Sequence, residues 1–285
     1  MSVTFYPNYC HYLGFGAAAE PTITGQGFVS SGGESSGAAY DLLDDKRTSL
    51  VTVDTSGETV EFEIDFDMTT NLVDPTFYIL DNHNLKTADA KVIFEIGGVA
   101  SSNAGPAYNG TLGGALTLVE DVDGVVTPSL DGILLVVMGP TMDDHHFEIN
   151  VNDVSTFDAD VTLGEVSVGI SFTPTTSPNL PVPISYGDGS SMLESAGGKR
   201  YGFTRHGVRK GWKLTWPFMS AANKTSLETV FLVTGGMKHP FYIDLGETAS
   251  TTPTLHLVRF MSPRLDFTQV TGNAYSITLD IEEEL

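Results

Sequence analysis

Gly211-Trp212-Lys213-Leu214-Thr215-Trp216-Pro217-Phe218 alternates aromatic or apolar residues with polar ones. That period of two is the signature of a half-buried strand, with Trp212, Leu214 and Trp216 on one face and Lys213 and Thr215 on the other. Ser220 then stands where a helix N-cap belongs, because its hydroxyl can accept from the free N–H groups of a first turn. From Ala221 to Val233 the residues Leu227, Val230 and Phe231 recur at helical spacing and make one stripe. Gly235-Gly236 ends the helix, since glycine takes the left-handed conformation without steric cost. Pro240-Phe241-Tyr242-Ile243-Asp244-Leu245 resumes as a strand. The spacing predicts one short helix laid as a lid across aromatic strands, in a small β-barrel or sandwich.

A chain of 285 residues suffices for one large or two ordinary domains. A single cysteine, Cys10, excludes an internal disulfide and a cysteine-built zinc site and reads as a small apolar residue. No basic stretch followed by an apolar run opens the chain, and no apolar run approaches the ~20 residues of a membrane helix. The expectation is a soluble protein with no export signal and no membrane partner.

The charge of −22 is unevenly spread. Residues 1–194 hold 4 Lys or Arg against 28 Asp or Glu, while residues 195–285 hold 10 against 8. An acidic front half joined to a near-neutral back half implies two domains with different jobs. Phosphates would be repelled by the front half, so no specific nucleic-acid binding is expected.

Residues 1–39 are rich in Gly, Ser, Ala and aromatics without a period, and read as an arm that orders on assembly. Residues 40–173 read as a β-sandwich. Thr59–Phe66 alternates, Phe77–Leu80 is a short buried-type strand, and Asp81-Asn82-His83-Asn84 is a loop. Lys91–Ile96, Ile133–Met138, Phe147–Val151 and Val166–Phe172 supply further strands, with a long small-residue loop over 97–114. Residues 174–183, within a stretch bearing four prolines, read as a linker, and residues 184–285 as the second β domain.

Candidate chemistry is sparse. There is no Gly-x-Ser-x-Gly elbow, His-Glu-x-x-His or phosphate loop, and Glu61 and Glu63 lie on the polar face of a strand. No enzyme is expected. His145-His146 are neighbours in a strand-like run, so their rings point to opposite faces and do not share a metal. Asp121-Val122-Asp123-Gly124 is a fragment of a calcium loop without its final glutamate. Lys199, Arg200, Arg205, Arg209 and Lys210 cluster in a Gly-rich segment with Tyr201 and Phe203. The only basic patch of an acidic chain is read as a subunit-docking loop, strongest at Arg205 and Arg209 because guanidinium grips carboxylates with two bonds.

Tyr40–Ile96, with Leu42-Leu43-Asp44-Asp45, Arg47 and the acidic strand through Asp65, resembles galactose-binding-like (discoidin-type) jelly rolls. Asp160–Gly169 resembles the closing strands of such domains in phage structural proteins. In the back half, Tyr186-Gly187-Asp188-Gly189, the Trp212 strand, the helix, Gly235-Gly236, Leu255–Phe260 and the acidic end Glu282-Glu283-Glu284 resemble, in that order, the phage tail-tip family that includes the lambda minor tail protein M. Members of that family are little more than this domain, whereas here an acidic sandwich precedes it. The resemblance implies a virion structural protein of the tail, assembled in the host cytoplasm. Its copies would form a ring at the distal tail or baseplate, with tube, hub and tail-tip proteins as partners and the sandwich projecting outward. It also implies no cofactor beyond a possible structural calcium at Asp44 and Asp45. The rival reading is a module that binds host-surface carbohydrate through Arg47, Tyr78, His83 and Asn84.

Overall fold

Trp212, Leu214 and Trp216 are buried and Lys213 is exposed, so the alternation at 211–216 does turn one apolar face inward. The computed structural model describes residues 2–10, 22–25, 34–36, 42–45, 49–53, 62–67, 76–97, 118–120, 126–128, 131–137, 146–152, 157–195, 198–204, 207–246 and 254–284. Its elements in chain order are β1 (Thr4–Pro7), β2 (Thr22–Gly25), β3 (Glu34–Ser36), β4 (Val51–Val53), β5 (Phe62–Asp67), β6 (Phe77–His83), β7 (Lys91–Gly97), β8 (Leu118–Glu120), β9 (Val126–Pro128), β10 (Gly132–Val137), β11 (His146–Asn152), β12 (Val161–Leu163) and β13 (Glu165–Gly169). There follow β14 (Ile184–Gly187), β15 (Ser190–Glu194), β16 (Arg200–Thr204), β17 (Arg209–Ser220), α1 (Ala221–Val233), β18 (Phe241–Asp244), β19 (Leu255–Phe260), β20 (Thr268–Thr271) and β21 (Ala274–Glu283).

The chain divides into two units. The back unit is Met1–Tyr6 with Phe172–Thr248 and Thr254–Leu285; the front unit is Pro7–Ser171 with Ala249–Pro253. The front unit is therefore an insertion into the back unit.

In the back unit one sheet runs β1-β18-β19-β21-β17-β14, with β20 also on β21, and β15 and β16 pair as a separate ribbon. It is an open sheet with a helix on one face; of the expected barrel or sandwich, a closed barrel does not form among the described residues. The mainly β reading with one short helix holds. Cross-strand rows explain the burial: Phe260, Ile281 and Trp212 lie opposite one another in β19, β21 and β17, and all are buried. Past Trp216 the register with β21 shifts before Met219. Pro217 sits in that bulge, where a missing N–H costs the ladder least. The shift turns Met219 into the core and leaves Phe218 exposed.

Ser220 Oγ accepts from the Asn223 N–H at 3.2 Å, which is the expected cap. Leu227 and Val230 face the core, Val233 is buried as well, and Phe231 packs at the core's margin with its ring 5.4 Å from that of Phe260. At the other end Gly236 N–H donates to Phe231 O and Gly235 N–H to Leu232 O, both with positive φ. That pair of bonds is a Schellman closure, so the double glycine works as read.

Two expectations about the flanks need correction. The described residues within 1–39 are not a separate arm: they contribute β1 to the back sheet, β2 beside β5, and β3 beside β4. Among the aromatics that suggested docking, Phe5 is buried in the back core and Tyr6 and Tyr9 are buried too, while His11, Tyr12 and Phe15 lie outside the described residues. Residues 174–183 are not a free linker. They lie within the back unit, where Thr176 O accepts from the Trp216 indole N–H at 2.9 Å and Asn179 N–H donates to Thr215 O at 2.7 Å.

The front unit has sheets β2-β5-β11-β7-β9-β8, β10-β6-β13 and β12-β4-β3. The alternating runs meet in register: Phe66, Phe147 and Ile96 form one row, and Ile64, Ile149 and Phe94 the next. Central β6 is buried from Phe77 through Asp81. It also runs past the expected loop start, to His83, because Asp81 stays in register with Ile133 and Glu165. Only Asn82 shows the turn-like tendency read from its type, with φ of 52°. The loop expected over 97–114 lies outside the described residues, apart from Gly97 in β7.

Candidate functional site

The back sheet's two ends differ. β1 is covered, with Phe5 and Tyr6 buried, whereas β14 is exposed at all four residues. β20, on the flank of β21, is also exposed throughout. Ile184 continues the row Phe260, Ile281, Trp212 by pairing with Trp212, yet it is 51% exposed. Tyr186, two residues on and on the same face, is 67% exposed. The apolar side of the sheet thus extends one strand beyond its cover.

Among the described residues the backbone of β14 is equally open. Pro183 O accepts from Lys213 N–H at 3.1 Å. Antiparallel ladders alternate, so Ser185 and Gly187 turn their main-chain groups toward β17 while Ile184 and Tyr186 turn theirs away from it. An open edge of this kind templates pairing with another chain.

The β15–β16 ribbon follows, with Glu194 opposite Arg200 and Leu193 opposite Tyr201. Gly198, with φ of 77°, closes its turn. The basic patch is divided here. Lys199 lies over the Tyr201 ring at 5.4 Å, and Arg200 pairs with Glu194 at 3.1 Å. Both members of that pair are exposed, so it contributes little. Arg209 is committed within the chain: Nη1 lies 3.4 Å from Glu282 and Nη2 3.5 Å from Glu284, which also meets Arg259 at 2.9 Å. Lys210, half-buried, stands opposite Tyr186. Arg205 lies outside the described residues. The guanidinium expected to grip a neighbour therefore holds the chain's own acidic last strand. β14 and β20 were missed as edges, although exposed Tyr186 in a Gly-flanked run was a usable signal.

The expected carbohydrate residues do not form an open site. Tyr78 is fully buried in β6, and burial pushes its hydroxyl well above its ordinary range. Asn84 works as a backbone clamp, accepting from Thr162 N–H at 2.7 Å and donating to Asp160 O at 2.8 Å. Arg47 is outside the described residues. Asp44 and Asp45 are half-buried, and Asp44 accepts from Ser49 Oγ at 2.9 Å. No group of three or more His, Cys, Asp or Glu side chains is gathered for a metal among the described residues. His145 and Asp121–Gly124 are not among them. Cys10 is buried, and burial pushes its thiol up to about 12, which removes it from thiolate chemistry at neutral pH.

His83 is 3% exposed and its Nδ1 accepts from Leu85 N–H at 3.3 Å. Burial lowers its pKa to about 4, against the pull of Asp131 and Asp81. The folded value is below the ordinary 6.5, so the unfolded chain takes up the proton first as pH falls. His83 thus contributes full stability above about pH 6.5, and the front unit is expected to lose about 3 kcal/mol between pH 6.5 and 4. Denaturant titrations across that range check this. His83→Gln should flatten the dependence, and an unchanged slope in that variant refutes the assignment.

No family model matches the chain, and no curated protein matches it either. Among solved structures, a chain from the tail of an empty GTA particle with C6 symmetry is similar over 40% of this chain and 82% of that one, at 17% identity and a TM-score of 0.27, a likeness too slight to bear on the fold.

Proposed function

We propose that the chain is a non-enzymatic structural component of a phage-type tail, whose copies join head to tail through the back unit into a ring at the distal tail or tip. The observation that carries this is the pair of wholly exposed edges, β14 and β20, on one sheet. Two different edges on one copy make a heterologous contact, which closes into a ring when the rotation allows. The uncovered Ile184 and Tyr186 give that contact an apolar centre. The order of elements that resembles minor tail proteins supports the location in a virion tail. Nothing in the geometry of Tyr78, His83 and Asn84 favours the carbohydrate reading, so it is not carried further.

Tyr186→Pro tests the reading. It deletes an outward N–H and leaves the bonds to β17 in place. The full-length variant is expected to keep its melting temperature within 2–3 °C, in line with a change of about 0.5 kcal/mol at a surface site. It is also expected to lose self-association in sedimentation velocity and to vanish from purified tails by mass spectrometry. Normal incorporation of the variant would refute edge pairing, and absence of the wild-type chain from tails would refute the location.

A further inference from the structure

We propose that the front unit is an electrostatic gate on self-association: its charge keeps copies apart until salt or a polycation screens it. The inference rests on the edge-pairing reading of the back unit and adds its regulation. The carrying observation is how the charge divides between the units. Residues 7–171 hold 4 Lys or Arg against 26 Asp or Glu, which is −22, the chain's whole net charge. Residues 1–6 and 172–285 hold 10 of each sign. The back unit also neutralises itself locally, through Arg209 and Arg259 on Glu282 and Glu284 and Lys213 on Asp280. In the front unit four cations can pair with only a few of 26 acids, and Asp89, Asp131 and Asp158 are exposed.

Joining two copies by their back units brings two units of −22 into one particle. The contact itself is short-ranged and close to neutral, whereas the repulsion reaches as far as screening permits. That reach is about 30 Å at 0.01 M ionic strength and about 8 Å at 0.15 M. High net charge of one sign holds proteins monomeric for this reason. The sign of the salt effect is therefore fixed: salt strengthens association. Docking of Lys199, Arg200 and Lys210 onto a neighbour's acids would give the opposite sign.

Sedimentation velocity of the full-length protein at 20, 150 and 400 mM NaCl reads this directly. The apparent dissociation constant is expected to fall at least tenfold from the lowest to the highest salt, and spermine at 20 mM NaCl should reproduce the fall. The double variant Asp89→Lys with Asp158→Lys, both at exposed positions, should associate at lower salt than wild type. A constant that rises with salt, or does not move, overturns the gate. If Tyr186→Pro still abolishes association in that case, edge pairing survives without it. Absence of association at every salt, with and without spermine, overturns both.

Discussion

Deleting residues 2–6 is expected to unfold the back unit, although nearly the whole front unit lies between this segment and the rest of that unit in the chain. Val3 and Phe5 belong to the back core, and both are buried. The Phe5 ring lies 5.8 Å from Phe172, 6.1 Å from Phe241 and 6.4 Å from Trp216, so it touches three different segments. Its backbone exchanges two hydrogen bonds with Phe172, at 2.8 and 2.9 Å. Burial of a Val and a Phe contributes about 1.5–3 kcal/mol each, before the lost pairing with β18. A domain has about 5–15 kcal/mol in all. Both tryptophans of the chain, Trp212 and Trp216, lie in the back unit, so indole fluorescence reports that unit alone. The deletion variant should lose its cooperative fluorescence transition. An unchanged midpoint would mean that β1 is dispensable.

Trp216→Ala carries the next largest effect. The indole has no exposed surface, packs against Phe5, and donates its N–H to Thr176 O. Truncation removes the ring, leaves a cavity at the centre of the core, and frees the 174–183 segment from its anchor. The expected cost is about 3–5 kcal/mol. Trp212→Ala should cost less, because Trp212 stands one strand from the open edge at β14, where neighbouring atoms can relax into the gap. Chemical denaturation followed by far-UV circular dichroism gives the ranking, and equal costs at the two positions would contradict this account of where the core ends.

Local signals were legible where the partner is also local. The Ser220 cap, the Gly235-Gly236 closure and the alternation at Trp212 each rest on residues within a few positions, and the sequence shows them directly. β1 was illegible because its four residues have no period and its partner β18 lies more than two hundred positions on. The prolines over 174–183 announced a break in regular structure, but could not show that Thr176 O and Asn179 N–H bond to β17. At Asp81–His83 the turn preference of Asp and Asn lost to cross-strand register, which no short window contains. Arg209 misled for the same reason, since its carboxylate partners are 73 and 75 positions away at Glu282 and Glu284.

The two ends of the chain build one fold into which the acidic unit is inserted. Phe5 and Phe172 form a hydrogen-bonded antiparallel pair, so a four-residue turn, Tyr6-Asn-Gly-Ser171, can close it and bypass residues 7–170. A chain of Met1–Tyr6, Asn-Gly and Ser171–Leu285 should fold cooperatively, with buried tryptophan emission and a dispersed amide spectrum. Phe172–Leu285 without the first six residues should not. If the shorter fragment folds as well as the joined one, β1 is an ornament on a self-sufficient C-terminal domain, and the insertion account is wrong.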